Sequence, residues 1–282
     1  MPELRLTGGA LDGLALHYVI AGRGPAVVLL HGLGGFAESW RYTIEALAPR
    51  HTVVAIDLPG FGSSAKPHGR YGLGDFAETV AGCLDVLGLG PVSLVGHSLG
   101  GAIAVAFTLS RPARVDRLAL IGALVPGFYR LSLHYRLAVV PALGEIMAFS
   151  RSRRLYKAAI ARCFQAPDRA EVDFLVDHAY SERTCWAARM AFLSTLRDCR
   201  DDLVARAADY RRAIATLEAP VLLVHGRQDG VIPAEYCRQA ATAFRRVDVR
   251  WVDDCGHFPQ IEHATVVNEW LGAFVAERPA PR

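Results

Sequence analysis

Several features that mark other classes of protein are missing from this sequence of 282 residues. No apolar run approaches the ~18 residues that a membrane-spanning helix needs. Residues 1–5 (Met-Pro-Glu-Leu-Arg) do not start the basic-then-apolar pattern of a secretory signal. No Gly-x-Gly-x-x-Gly or Gly-Lys-Ser/Thr loop follows a predicted strand. We therefore expect a soluble, cytoplasmic protein that does not bind a nucleotide through a phosphate loop.

Excess charge and paired cysteines are also missing. The 31 Lys and Arg residues and 28 Asp and Glu residues leave a net charge of +3, too small to favour a nucleic acid or an anionic membrane as partner. The six cysteines include no Cys-x-x-Cys pair, the usual spacing of zinc and redox motifs. We expect buried, reduced thiols, with a disulfide as the alternative, and no metal or cofactor.

Apolar residues are abundant, at 52% of the chain, and occur in short β-branched runs that alternate with helical patterns. This alternation is typical of β-α-β units and a parallel sheet with helices on both faces. Segment 14–19 alternates in polarity instead, as an antiparallel edge strand would. Apolar spacing predicts helices over 76–87 and 264–275. Buried strands are predicted over 26–30, 52–56, 92–95, 117–121, 220–224 and 249–252.

The strand pattern stops between residues 124 and 214, where the sequence reads as helices. Strands resume afterwards, so this segment is an insertion between two strands of one sheet and not a tandem domain. We predict a core formed by residues 1–123 and 215–282, with a helical cap over residues 124–214.

The pentapeptide at 96–100 (Gly-His-Ser-Leu-Gly) follows a predicted strand and precedes a predicted helix. A Gly-x-Ser-x-Gly sequence in that setting forms a sharp, strained turn that exposes the serine hydroxyl. The glycines leave space that a Cβ would fill. Ser98 is therefore the candidate nucleophile.

A serine hydroxyl needs a base within hydrogen-bond reach. Among ten histidines, His257 follows the last strand, at the sheet edge where Ser98 also lies. His31 and His225 each close a strand before a glycine and are assigned to loop geometry. His97 adjoins the nucleophile, but its side chain should point away from that of Ser98, which favours packing.

The base needs a carboxylate to fix its tautomer. Asp229 follows the fifth predicted buried strand, giving the chain order Ser, Asp, His. Residues 122–124 (Gly-Ala-Leu), after the fourth strand, offer no rival carboxylate, and Asp253 and Asp254 lie too close to His257 along the chain.

A tetrahedral intermediate needs two hydrogen-bond donors for its oxyanion. The backbone N–H of Leu99, next to the nucleophile, is one candidate. The second is the N–H of Leu33, in the glycine-rich loop 31–35 (His-Gly-Leu-Gly-Gly). A flexible glycine-rich turn without a catalytic role is the alternative for this loop.

Together, these motifs resemble those of the α/β-hydrolases in order and spacing. The resemblance covers about residues 10–123 and 215–277. It implies the α/β-hydrolase fold: a mostly parallel eight-stranded sheet with helices on both faces and a helical cap over the site. The motifs are 31–34 (His-Gly-Leu-Gly), 57–64 (Asp-Leu-Pro-Gly-Phe-Gly-Ser-Ser), 96–101 (Gly-His-Ser-Leu-Gly-Gly), 226–229 (Gly-Arg-Gln-Asp) and 256–258 (Gly-His-Phe).

Within that family, dehalogenases and epoxide hydrolases use an aspartate nucleophile, which Ser98 argues against. The hydrolases of ring-cleavage products share Ser-Asp-His but typically carry Asn before the nucleophile and Trp after the histidine, where this chain has His97 and Phe258. Arg189 is either a counterpart of their substrate-orienting arginine or an exposed helix arginine. With Gly32, these three residues are the candidates for substrate contact.

Three functions follow. The first is hydrolysis of carboxylic esters with small to medium apolar groups, through an acyl-enzyme on Ser98. The second uses the same three residues to cleave a carbon–carbon bond of a vinylogous keto acid. The third is a small-molecule receptor without catalysis, which labelling at Ser98 would exclude. A cofactor-free lyase or perhydrolase on the same scaffold stays open.

Overall fold

A computed structural model describes residues 3–8, 11–129, 140 and 152–277. Its sheet has eight strands in the order β1-β2-β4-β3-β5-β6-β7-β8. Strands β3 to β8 run parallel to one another, whereas β2 pairs antiparallel with both β1 and β4. The predicted fold class is confirmed. The strands are β1 Glu3–Arg5, β2 Ala15–Ala21, β3 Ala26–Leu30, β4 Thr52–Ile56, β5 Val92–His97, β6 Val115–Ile121, β7 Val221–Gly226 and β8 Val247–Val252.

Helices cover both faces of this sheet, and four more lie in the described part of the segment between β6 and β7. Within the described ranges, none is long and apolar enough to cross a bilayer. Short 3₁₀ helices lie at Ala37–Trp40 and Pro112–Arg114. The α-helices are α1 Arg41–Leu47, α2 Leu73–Val86, α3 Leu99–Ser110, α4 Arg153–Ala161, α5 Arg169–Arg183, α6 Trp186–Ala205, α7 Ala207–Ile214, α8 Ala234–Ala241, α9 Pro259–Glu262 and α10 Ala264–Ala276.

The central strands are apolar throughout because they bury both of their faces. In β3, Val28 and Leu30 pack with α2 and α3, whereas Val27 and Leu29 pack on the opposite side with residues of α10. All four side chains are fully buried. A strand between two helical layers has no solvent face, so its sequence carries no polar alternation. The sheet is thus a rigid base for the loops at its carboxyl edge.

Helices α4 to α7 occupy the predicted insertion. Residues 130–139 and 141–151 of that insertion lie outside the described residues, as do the ends 1–2 and 278–282 of the predicted core. Two carboxylates of α6 attach it to the core. Asp198 accepts a hydrogen bond from the Tyr71 N–H (2.7 Å), and Asp202 accepts one from the Leu73 N–H (2.9 Å). These contacts fix the helix that faces the site described below.

All six cysteines lie in the described ranges and are free thiols. Cys185 is exposed and Cys163 half-buried, so the prediction of burial holds for the other four. Burial raises the pKa of the Cys83 thiol to about 12, which keeps this thiol protonated and unreactive.

Replacing Asp198 by alanine leaves the buried N–H of Tyr71 without its acceptor. We expect Asp198→Ala to lower the free energy of unfolding by about 1–3 kcal/mol, measured by urea denaturation. Asp201→Ala is the matched control, because Asp201 is exposed on the same helix. Equal losses for the two variants would contradict this account of how α6 is attached.

Candidate active site

Ser98 stands on a sharp turn between β5 and α3. Its φ of 53° and ψ of −120° lie in a region that residues with a side chain rarely adopt. A Cβ on Gly100 would lie 2.3 Å from the Leu30 carbonyl oxygen, and one on Gly96 would lie 2.4 Å from the Gly100 oxygen. Only glycine fits at both positions, so strand and helix meet closely enough to hold the strained serine.

The structure brings Ser98, His257 and Asp229 together, and all three are buried. His257 Nε2 lies 3.0 Å from Ser98 Oγ, and His257 Nδ1 lies 2.8 Å from Asp229 Oδ2. Asp229 Oδ1 accepts the backbone N–H groups of Val231 and Ile232, both at 2.8 Å. The carboxylate is therefore held at both oxygens.

Asp229 stays ionised although it is buried. Burial alone would raise its pKa, but the imidazole of His257 and the hydrogen bonds it receives outweigh burial and hold the pKa below its usual value. An ionised carboxylate only accepts hydrogen bonds, so His257 Nδ1–H must donate to it. In a neutral imidazole, Nε2 then carries a lone pair toward Ser98, and the serine O–H can donate to it. This is the protonation pattern of a general base.

Two other histidines fix the loops around this group, as predicted. The Nδ1–H of His31 donates to the Gly32 oxygen (2.7 Å), while its Nε2 accepts the Leu58 N–H (3.0 Å). The Nε2–H of His225 donates to the Ile232 oxygen (2.8 Å), in the loop that binds Asp229. Burial lowers the pKa of both histidines, so they remain neutral and uncharged beside the site.

Leu33 and Leu99, the predicted oxyanion residues, line the same cavity as Ser98. Leu99 is the first residue of α3, where a backbone N–H has no acceptor within the helix. The backbone at Gly32 lies close to Ser98, since a Cβ added at Gly32 would lie 2.9 Å from the Ser98 Cβ. The loop can therefore pass directly beside Ser98.

A cavity that is partly open to solvent lies at Ser98. Helix α6 forms one wall, and the loop after β7 forms another. Tyr129, Thr195 and Cys199 add neutral polar groups, and Arg200 adds the single charge among the described lining residues. Beyond Leu33 and Leu99, the apolar lining consists of Leu124, Leu196, Leu203, Val231 and Ile232.

The other predicted substrate contacts lie outside the described lining of this cavity. The Nε2–H of His97 donates to the His257 carbonyl oxygen (2.8 Å), and its ring stacks on Phe258 with centroids 5.1 Å apart. The packing interpretation of His97 therefore fits its position. Phe258 also packs on Phe164 of the insertion. Arg189 is buried on α6, so its alternative as an exposed helix arginine is wrong.

Sequence reasoning missed the contacts that hold the loop of His257. Glu262 accepts the N–H of Gly256 (3.0 Å) through Oε1 and the N–H of Gln165 (2.8 Å) through Oε2. The His257 N–H donates to the Cys163 oxygen (2.7 Å). A Cβ on Gly256 would lie 2.4 Å from that oxygen, so glycine is required. The glycine in 256–258 is the available signal, but Cys163 and Gln165 lie about ninety residues away along the chain.

The strand order and the turn at Ser98 are those of the α/β-hydrolase fold. A family profile described as alpha/beta hydrolase fold matches residues 25–264, and the chain belongs to this family.

Relatives and solved structures agree with this family. An uncharacterized protein of Mycobacterium tuberculosis is 33% identical over 260 residues, covering 88% of this chain and 74% of the relative. The 2-hydroxy-6-oxo-2,4-heptadienoate hydrolase of Pseudomonas putida is 32% identical, covering 89% of this chain and 91% of the relative. A meta-cleavage product hydrolase from Pseudomonas fluorescens superimposes with a TM-score of 0.81 at 26% identity, covering 97% of each chain.

The buried His97 makes stability depend on pH. Burial lowers its pKa to about 3, and the nearby His257 acts in the same direction. In the unfolded chain, His97 binds a proton near pH 6.5. Its contribution to the free energy of unfolding is therefore fully present above that pH and is lost as the pH falls. Between pH 7.5 and 5.5, wild type should lose about 1.4 kcal/mol of unfolding free energy that His97→Asn keeps. Urea denaturation measures both.

The control for this experiment is His68→Asn, because His68 is exposed. Between pH 7.5 and 5.5, His68→Asn should lose as much unfolding free energy as wild type does. An equally steep loss in His97→Asn would contradict the burial of a neutral histidine beside the site.

Glu262 can be tested as a positioning residue. Glu262→Ala leaves three backbone N–H groups without their acceptor, including that of Phe258 (3.3 Å). His257 should shift, and a shift of ~1 Å costs about a hundredfold in rate. We expect kcat on any substrate turned over to fall about 10–100-fold with a smaller change in KM. Glu269→Ala, exposed on α10, is the control, and an unchanged kcat in Glu262→Ala would contradict the role.

Proposed function

We propose that this protein is a serine hydrolase that cleaves carboxylic esters with small to medium apolar groups. The observation that carries the proposal is Ser98 Oγ at 3.0 Å from His257 Nε2, inside a cavity with a mainly apolar lining. An apolar pocket with a few convergent polar groups is the usual form of a small-molecule site.

The mechanism follows from the protonation pattern. His257 takes the hydroxyl proton as Ser98 Oγ attacks the ester carbonyl, and Asp229 stabilises the imidazolium that forms. The N–H groups of Leu33 and Leu99 donate to the oxyanion, where one such donor contributes about 3–4 kcal/mol. His257 then protonates the leaving alcohol. Water, activated by the same imidazole, releases the acid from Ser98.

In this proposal residues 124–214 act as a cap that closes the cavity away from the sheet. Thr195, Leu196 and Cys199 of α6 face the cavity, which supports such a role. A closed cap would exclude water from the cavity, which strengthens the hydrogen bonds that the oxyanion accepts.

Cleavage of a carbon–carbon bond in a vinylogous keto acid is the second candidate. It is favoured by the Pseudomonas putida relative, whose name states hydrolysis of 2-hydroxy-6-oxo-2,4-heptadienoate. The same three side chains would serve, with His257 first moving a substrate proton to generate the ketone. The residues His97 and Phe258 depart from that group's pattern, which favours the ester substrate here.

The two candidate functions can be distinguished by which substrate the protein hydrolyses faster. We expect p-nitrophenyl butyrate and hexanoate to be hydrolysed with higher kcat/KM than the keto acid, measured spectrophotometrically. Ser98→Ala should lower kcat about 10⁴–10⁶-fold and Asp229→Asn about 10⁴-fold. Ser110→Ala, exposed at the end of α3, is the control for loss of a hydroxyl. Brisk turnover of the keto acid with feeble ester turnover would overturn the ester assignment.

A further inference from the structure

Arg200 is the one charged residue among the described residues that line the cavity of Ser98. The rest of that lining is apolar or neutral. A fully apolar substrate would gain nothing from a guanidinium at this position. The presence of Arg200 therefore bears on what the substrate carries, and the inference rests on the proposed function.

Helix α6 directs Arg200 toward the cavity by its periodicity. Residues three and four positions apart lie on the same helix face. Leu196 lines the cavity, Arg200 follows it by four residues, and Leu203 follows Arg200 by three. The acids Asp198 and Asp202 are on the side of α6 that binds the core backbone. Arg200 is thus separated from the helix's own anchoring carboxylates.

The guanidinium of Arg200 makes no ion pair or hydrogen bond with any group that the structure describes. By contrast, Arg206, directly after the same helix, pairs with Asp202 (3.1 Å). Arg200 is also exposed to solvent, so it lies where the cavity opens. A cation at the opening of an apolar cavity keeps its hydration until an anion arrives.

We propose that Arg200 binds a carboxylate on the substrate, at the end of the apolar group that fills the cavity. The substrate class is then a monoanionic ester, whose acyl chain carries a carboxylate distant from the scissile bond. Arginine suits this role because its planar fork donates two parallel hydrogen bonds to one carboxylate and stays charged at any physiological pH. The apolar walls hold the chain between the two ends.

Two esters of similar length test the proposal: mono-p-nitrophenyl adipate, which is anionic, and p-nitrophenyl hexanoate, which is neutral. The readout is the ratio of kcat/KM for the anionic ester to that for the neutral one. Arg200→Gln should lower this ratio about 5-fold, mainly through KM of the anionic ester, since a partly exposed ion pair is worth little more. Arg200→Lys should recover part of the loss.

Arg154→Gln is the matched control, because Arg154 is exposed on α4, outside this lining, and its loss changes net charge equally. Added salt should lower the wild-type ratio, as screening weakens an exposed ion pair. A ratio that Arg200→Gln leaves unchanged, or that Arg154→Gln lowers equally, would overturn the proposal.

A binding measurement separates this inference from the proposed function. Calorimetry with hexanoate and the uncharged hexanamide needs no turnover. On the Ser98→Ala background, hexanoate should bind more tightly than hexanamide, and Arg200→Gln should remove the difference. That result would support anion recognition by Arg200 even if neither ester is hydrolysed. Failure of both esters to be hydrolysed would contradict only the ester assignment. Equal binding of the two compounds would overturn the role of Arg200.

Discussion

The close approach of backbone at Ser98 is the constraint on which the site depends. The serine has a φ of 53°, and the chain on either side has no room for a Cβ at Gly96 or Gly100. A strain of this kind costs of order 1–3 kcal/mol and persists only where the surroundings over-determine it. Here the doubly buried sheet and α3 supply that rigidity. The hydroxyl therefore lies at the carboxyl edge of the sheet, where the loops that carry Asp229 and His257 begin.

Hydrogen bonds connect the insertion to the loop of His257. The carbonyl of Cys163 accepts the His257 N–H, and Glu262 joins the same loop to Gln165. On the other side of the cavity, carboxylates of α6 accept the backbone N–H groups of Tyr71 and Leu73, at the start of α2. A displacement of the insertion at residues 163–165 would thus shift His257. Folding of the insertion and alignment of the site are coupled through backbone hydrogen bonds.

Much of the fold was predictable because the strands buried on both faces are continuous apolar runs. The predicted limits of β3 and β4 match the structure. Strand β1 was not predicted, because Glu3–Arg5 buries only one side chain and contains no run of apolar residues. The three central site residues were predicted from where strands end. Glu262 and Arg200 were not, because their significance depends on contacts between segments distant in sequence, which periodicity does not encode.

The nucleophilic role of Ser98 is the central claim, and mass-resolved labelling by a fluorophosphonate tests it most directly. The reagent needs a serine activated by a base, so it reports the chemistry without a choice of substrate. The account predicts one adduct per chain, on the peptide containing Ser98, which is absent in Ser98→Ala and formed far more slowly in His257→Ala. An unlabelled Ser98, or an adduct that survives in Ser98→Ala at the same rate, would contradict it.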